Sequence, residues 1–77
     1  MVKTAEIFLK EQYGLKQLRV RIHEGSLARI EVLKAEILKV LSGNFDKIVS
    51  FFKELGFIYV TIDLEGFRSG SLNEIFT

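Results

Sequence analysis

The sequence contains no cysteine and no proline, and its charges are almost balanced. The absence of cysteine excludes a disulfide framework, a thiol nucleophile and a cysteine-ligated metal site. With 11 Lys+Arg against 10 Asp+Glu, the formal net charge is only +1, which lacks the basic excess typical of a dedicated nucleic-acid-binding domain. Any function of the charged groups must therefore come from their local arrangement.

Long apolar runs are also missing. Charged residues interrupt the apolar stretches, so the sequence has no span of ~20 apolar residues that would cross a bilayer. The segment Met1–Glu6 likewise lacks the apolar core of ~7 to 15 residues that defines a signal peptide. Together with a length of 77 residues, these absences indicate one small domain and favour a cytoplasmic location.

Apolar residues at helical spacing predict three helices, over residues 4–13, 33–41 and 45–55. The first places Ala5 and Leu9 on one face and is followed by Gly14, a residue typical of a helix C-terminus. In the second helix, the spacing places Ile37, Leu38 and Leu41 on the apolar face.

An apolar–polar alternation with a period of two predicts three strands, over residues 18–23, 27–32 and 57–64. Each strand has one aliphatic face that helices must cover. The fold class is therefore α+β, a two-layer sandwich of order α-β-β-α-α-β, with helices on one face of a three-stranded sheet. We expect residues 1–64 to form this single domain, and the Gly- and Ser-containing residues 65–77 to form a C-terminal tail.

The alternation of the third strand assigns its residues to specific faces. It places Ile58 and Leu64 on the aliphatic face of the sheet and Phe57 on the opposite face. Because this strand follows a helical crossover, it can pair in parallel with a neighbour. The sequence leaves the strand order open.

The opposite face of the sheet concentrates polar side chains. It carries Arg19, Arg21, His23, Arg29, Glu31, Tyr59, Thr61 and Asp63. A three-residue hairpin loop over residues 23–25 sets Arg19 opposite Arg29, whereas a loop over residues 24–26 sets Arg21 opposite Arg29. In either register two arginines face each other, which requires an anion or a carboxylate between them.

The arginines have two interpretations. In the first, Glu31 and Asp63 neutralise them in a solvated network that contributes little free energy. In the second, the arginines bind a phosphate or sulfate, because the guanidinium fork matches a tetrahedral oxyanion. In the tail, Arg68 and the hydroxyls of Ser69 and Ser71 can add to such an anion site; the alternative is that this Gly- and Ser-containing stretch is only a flexible tail. His23 is interpreted as a surface residue at the hairpin end, and one histidine without cysteine gives no metal site.

Three segments, Arg19–His23, Leu27–Val32 and Leu55–Glu74, resemble the C-terminal region of the LarE-type ATP-dependent sacrificial sulfur transferases. These enzymes belong to the PP-loop pyrophosphatase superfamily, and the resemblance covers nearly the whole chain. In that family an N-terminal domain adenylylates a pyridinium dicarboxylate precursor and sulfur is then transferred to it. The resemblance implies that the present chain corresponds to the C-terminal domain, which contributes to subunit assembly and to an arginine-lined anion site.

The resemblance also implies roles for individual residues. Arg19, Arg21 and Arg68 look like the family's arginines at the anion site. Matching motif positions are held by Arg29, Glu31 and Asp63. Two positions depart from the family pattern: Phe67 replaces a common tyrosine, and Ser26 replaces a common aspartate.

The chain lacks the Ser-Gly-Gly-x-Asp-Ser pyrophosphate loop and any cysteine that could surrender sulfur. The resemblance therefore implies a substrate- or phosphate-binding and assembly domain that is not catalytic alone and carries no cofactor. ATP and Mg²⁺ are expected on a PP-loop ATPase domain, which is the expected partner in cis or in trans. The other expected partners are a phosphorylated or adenylylated small molecule and further copies of the chain.

Two other function classes remain open. In the first, the chain is a homo-oligomerisation module without a ligand, because the outward face adds apolar surface at Leu27, Leu33, Phe57 and Tyr59. The second is single-stranded nucleic-acid binding, with Phe57 and Tyr59 as stacking residues, and the near-zero net charge argues against it.

Overall fold

The structure, a computed structural model, describes residues 1–68. Its helices are α1 (Val2–Tyr13), α2 (Ile37–Leu41), preceded by a 3₁₀ turn (Lys34–Glu36), and α3 (Phe45–Glu54). Its strands are β1 (Leu18–His23), β2 (Leu27–Val32) and β3 (Tyr59–Ile62). The predicted α+β class and element order are confirmed. Among the described residues, no helix has the length and apolar character needed to cross a membrane.

The three strands form one mixed sheet with β2 in the centre. β1 pairs with β2 in antiparallel orientation, and β3 pairs with β2 in parallel orientation. The hairpin loop is Glu24-Gly25-Ser26, so Arg21 lies opposite Arg29. This loop places Glu24 and Gly25 at φ 54° and 73°, the positive values that tight hairpin turns require.

The helices cover the aliphatic face of the sheet, as predicted. Ala5 and Leu9 of α1 and Phe52 of α3 are completely buried against the strands. Phe8 of α1 stacks on Phe51 of α3 with ring centroids 4.0 Å apart, which holds the two helices side by side. Within residues 1–68, the opposite face of the sheet therefore has no helix on it and carries the polar residues.

The ends of the third strand differ from the sequence prediction. β3 spans only Tyr59–Ile62, and both Ile58 and Leu64 are exposed rather than on the aliphatic face. Phe57, predicted to face outward, is buried in the core with its ring 5.5 Å from Phe52. The backbone explains this, because the Phe57 N–H still bonds to the Phe52 carbonyl at 3.1 Å, so Phe57 follows the helix end rather than the sheet.

The buried positions of α2 also differ from those predicted from the sequence. Ile37 and Val40 are buried, whereas Leu38, predicted to face the core, is exposed. Ile37 and Val40 are three positions apart and share a helix face, whereas Leu38 lies roughly 100° around the helix from Ile37. A 3₁₀ turn at Lys34–Glu36 precedes them.

Candidate anion site on the polar face of the sheet

The centre of the polar face is a buried carboxylate between two arginines. Arg21 and Arg29 lie opposite each other in the β1–β2 register, and the side chain of Glu31 is 0% exposed beside them. Glu31 Oε2 accepts a hydrogen bond from Arg29 Nη2 at 2.8 Å, and Glu31 Oε1 lies 3.9 Å from Arg21 Nε. The carboxylate thus compensates the two like charges that the register brings together.

The carboxylate of Asp63 extends these ion pairs beyond the sheet. The Asp63 N–H bonds to the Ile30 carbonyl at 2.9 Å, which fixes Asp63 at the end of β3. Asp63 Oδ2 lies 3.8 Å from Arg29 Nε and 3.9 Å from Arg68 Nη1, and Arg68 Nη2 lies 3.5 Å from Glu65 Oε1. We call this alternating set the ion row; its members are Arg21, Glu31, Arg29, Asp63, Arg68 and Glu65.

The segment 65–68 is attached to the end of β2. The Phe67 N–H donates a hydrogen bond to the Val32 carbonyl at 2.6 Å. Gly66 is buried there with φ 86°, and a Cβ atom at this position would lie 2.9 Å from the Val32 carbonyl oxygen. This attachment brings the Phe67 ring under the guanidinium of Arg19, whose Cζ lies 5.6 Å from the ring centroid.

Two hydrogen-bond donors in the ion row have no acceptor among the residues that the structure describes. They are Arg21 Nε and Arg29 Nε, which are both buried. The Glu31 and Asp63 oxygens that pair with them, 3.9 and 3.8 Å away, lie beyond hydrogen-bond distance. Both atoms are shielded from solvent, so an oxyanion could accept from these N–H groups only after the two guanidinium groups move, and it would then relieve the cost of the unsatisfied donors.

The structure gathers most of the predicted site residues on one face. Arg21, Arg29, Glu31, Asp63 and Arg68 belong to the ion row, while Arg19 lies beside it over Phe67. Ser69 and Ser71 lie outside the described residues. Within residues 1–68, no group of three or more His, Asp or Glu side chains could hold a metal ion.

Sequence reasoning missed two residues of this region. Glu65 pairs with Arg68, and the i, i+3 spacing of opposite charges was the signal that could have indicated this. Phe67 was noted only as a departure from a family pattern, although an aromatic residue beside arginines is a common cation–π partner.

The chain is similar in sequence to parts of two longer proteins. No known family model matches the chain. It is 43% identical over 77 residues to an uncharacterized protein of Synechocystis sp., with 99% of the chain and 28% of that protein covered. It is 42% identical over 77 residues to pyridinium-3,5-bisthiocarboxylic acid mononucleotide synthase of Lactiplantibacillus plantarum, with 95% of the chain and 27% of the synthase covered.

The chain is homologous to a part of this synthase. The matching region is the C-terminal part, which confirms the predicted similarity to the C-terminal part of a LarE-type sulfur transferase. The chain spans little more than a quarter of the length of each relative, 28% and 27% respectively. The homology therefore fits an accessory domain of a larger synthase.

Proposed function

We propose that the chain is a non-catalytic domain that binds an anionic substrate group and supports assembly for a PP-loop ATP-dependent sulfur transferase. The observation that carries this proposal is the homology of 95% of the chain to the C-terminal part of the synthase. The catalytic partner is a PP-loop ATPase domain in cis or in trans, and ATP and Mg²⁺ bind to that domain. The chain itself has no cysteine to surrender as a sulfur donor.

The ion row supports the anion-binding half of the proposal. The row and the adjacent Arg19 contain four arginines against three carboxylates, Glu31, Asp63 and Glu65. The arginine Nε–H groups of Arg21 and Arg29 are buried without an acceptor in the described part of the chain. A phosphate group of a phosphorylated or adenylylated small molecule would satisfy these donors, because its oxygens match the guanidinium geometry.

A complementation experiment tests this function. We expect the Lactiplantibacillus plantarum synthase without its matching C-terminal part to lose activity by on the order of 100-fold, because displaced positioning groups cost factors of that size. Adding the 77-residue chain in trans is expected to restore part of the formation of the bisthiocarboxylic acid mononucleotide. An Arg21→Gln/Arg68→Gln chain should restore much less, whereas a Lys47→Gln chain, altered on the exposed side of α3, should restore as much as the unchanged chain.

Two results would each contradict a part of this proposal. If the chain forms no complex with the truncated synthase and gives no gain in activity, the accessory role is wrong. Inorganic phosphate added to the chain should also shift the NMR signals of the Nε–Hε groups of Arg21 and Arg29. If the complex forms and these signals do not move, the chain is an assembly domain without the anion site.

A second candidate function is homo-oligomerisation, and a specific surface favours it. The outward apolar surface predicted from the sequence, at Leu27, Leu33, Phe57 and Tyr59, is smaller in the structure. Phe57 is buried, and of these four residues Tyr59 alone is strongly exposed, at 61%. A different apolar groove of about 220 Å³ lies between α2, α3 and β3. Its walls include exposed or partly exposed large side chains at Leu41, Phe45 and Val49. Apolar surface of this kind is typical of an interface.

Native mass spectrometry measures the oligomeric state. If the groove is the interface, the chain at high concentration should be a dimer or larger, and Phe45→Ser/Val49→Ser should return it to the monomer without loss of secondary structure. The matched control is Ile7→Ser, which removes an equally exposed apolar residue from α1 and should leave the oligomer intact. A strictly monomeric unchanged chain removes this candidate function.

A further inference from the structure

A cleft on the β1 side of the domain lies outside the ion row and has a different chemistry. It has a volume of about 400 Å³ and lies between α1, the segment that leads into β1, and the ring of Phe67. This volume is within the ~300–1,000 Å³ range of small-molecule sites. The cleft is lined by three lysines together with apolar side chains, so it differs from a solvated helix surface.

The lysines of the cleft are Lys3, Lys10 and Lys16, and each of them is exposed. Lys3 and Lys10 lie on one side of α1 with Ile7 between them, because positions i, i+4 and i+7 share a helix face. Among residues 1–68, none of these three ammonium groups forms an ion pair. Three like charges around one cleft repel each other, and a bound anion would relieve that repulsion.

The acidic residue of the cleft, Glu6, forms no ion pair with the lysines in the described part of the chain. Its Oε2 accepts a hydrogen bond from the backbone N–H of Val20 at 2.9 Å, which holds the carboxylate at the edge of β1, and its negative charge offsets part of the positive charge of the cleft. The same contact shows that the Val20 N–H points away from β2. In an antiparallel ladder the direction of backbone groups alternates, so the N–H of Leu18 points to the same open side. The cleft therefore offers a backbone donor as well as the three ammonium groups.

Apart from the polar Gln17, the remaining walls of the cleft are apolar. Ile7 is 50% exposed, and Leu18 and Phe67 are partly buried along the same cleft. These side chains offer a hydrophobic contact that inorganic phosphate alone would not use. The combination of cations, one backbone donor and apolar walls indicates a ligand with both an anionic and an apolar part.

We propose that this cleft binds a phosphomonoester that carries an aromatic or apolar group. Lys3, Lys10 and Lys16 hold the phosphate, while Ile7 and Phe67 contact the apolar part. The site is separate from the ion row and does not depend on the function proposed for it. The matched variants are designed so that failure of one proposal can be distinguished from failure of the other.

The test is an NMR titration of the 77-residue chain with three probes: phenyl phosphate, inorganic phosphate and phenol. Phenyl phosphate should shift the amide signals of Ile7 and Leu18 and bind at least about ten-fold more tightly than either other probe, a factor that equals 1.4 kcal/mol. The variant Lys3→Gln/Lys10→Gln/Lys16→Gln should weaken this binding at least about ten-fold.

The matched control is Lys34→Gln/Lys39→Gln/Lys47→Gln, which removes the same charge from exposed lysines outside the cleft and should bind like the unchanged chain. If both triple variants weaken binding equally, the attraction is only a general charge effect and the proposal is overturned. It is also overturned if inorganic phosphate binds as tightly as phenyl phosphate. If phenyl phosphate shifts the Arg21 and Arg29 side-chain signals instead of the Ile7 and Leu18 amides, the ligand belongs to the ion row and not to the cleft.

Discussion

A Glu31→Gln substitution is expected to lower the free energy of unfolding by about 3 to 5 kcal/mol, the cost of removing one partner from a buried ion pair. Glu31 is completely buried and is the carboxylate between Arg21 and Arg29, whose side chains are 19% and 20% exposed. Glutamine keeps the shape but loses the negative charge. The guanidinium of Arg21 then loses its Glu31 partner, Arg29 keeps only Asp63 at 3.8 Å, and water reaches the two groups only in part.

Urea denaturation followed by circular dichroism measures this loss. Since a domain of this size is stable by only about 4 to 12 kcal/mol, the variant should lose a large share of its stability, and its unfolding midpoint should fall to a clearly lower urea concentration. Glu65→Gln is the control, because Glu65 is also paired with an arginine but is 75% exposed, and its loss should cost at most about 1 kcal/mol.

A second measurement separates charge compensation from simple packing. In the double variant Glu31→Gln/Arg21→Gln, the arginine that lost its carboxylate partner is also gone, so the double variant should lose less stability than the sum of the two single variants. If Glu31→Gln costs less than about 1 kcal/mol, the carboxylate is not the group that holds the two arginines together.

Gly66→Ala is expected to detach the segment 65–68 from β2 and to cost about 1 to 3 kcal/mol. Gly66 has φ 86°, a value that alanine adopts only with strain. A Cβ atom would also lie 2.9 Å from the Val32 carbonyl oxygen and 3.1 Å from the Lys34 backbone nitrogen, and these backbone atoms cannot move without disturbing β2 or the 3₁₀ turn that follows it. The Phe67–Val32 hydrogen bond and the contact of Arg19 with the Phe67 ring should be lost together.

Amide hydrogen exchange of Phe67 and the ring-current shifts of Arg19 report on this detachment. Gly25→Ala is the matched control: Gly25 has a similar φ of 73°, but nothing lies within 4 Å of the added Cβ. Its effect measures the backbone strain alone. Protection of the Phe67 amide that survives in Gly66→Ala would show that the segment does not need the close approach of Gly66 to β2.

The polar face could be predicted from the sequence because its signal is local. A period of two assigns each strand residue to a face whatever the neighbours are, so Arg21, Arg29 and Glu31 fall on one surface from the sequence alone. Whether Arg19 or Arg21 of β1 lies opposite Arg29 of β2 could not be predicted in the same way. It depends on Glu24 taking φ 54°, a conformation for which the sequence offers no marker as strong as the following Gly25.

The ends of the elements were harder to predict because they depend on tertiary contacts. Phe57 continues an alternating pattern, yet its N–H bonds to the helix end and its ring fills the core beside Phe52. Similarly, nothing in the alternation shows that the segment 65–68 returns to β2 through the Phe67–Val32 hydrogen bond. These positions are decided by the space that the packed helices and strands leave, which a local pattern does not contain.

The hydrogen bond between Glu6 and the Val20 N–H has a consequence for how the sheet can grow. β1 and β3 are the two edges of the sheet, and an added strand would need free backbone groups on one of them. On the β1 edge, the Glu6 side chain of α1 already occupies one of the outward N–H groups, that of Val20. A strand added at this edge would therefore have to displace Glu6 from that N–H before it could pair along the whole of β1.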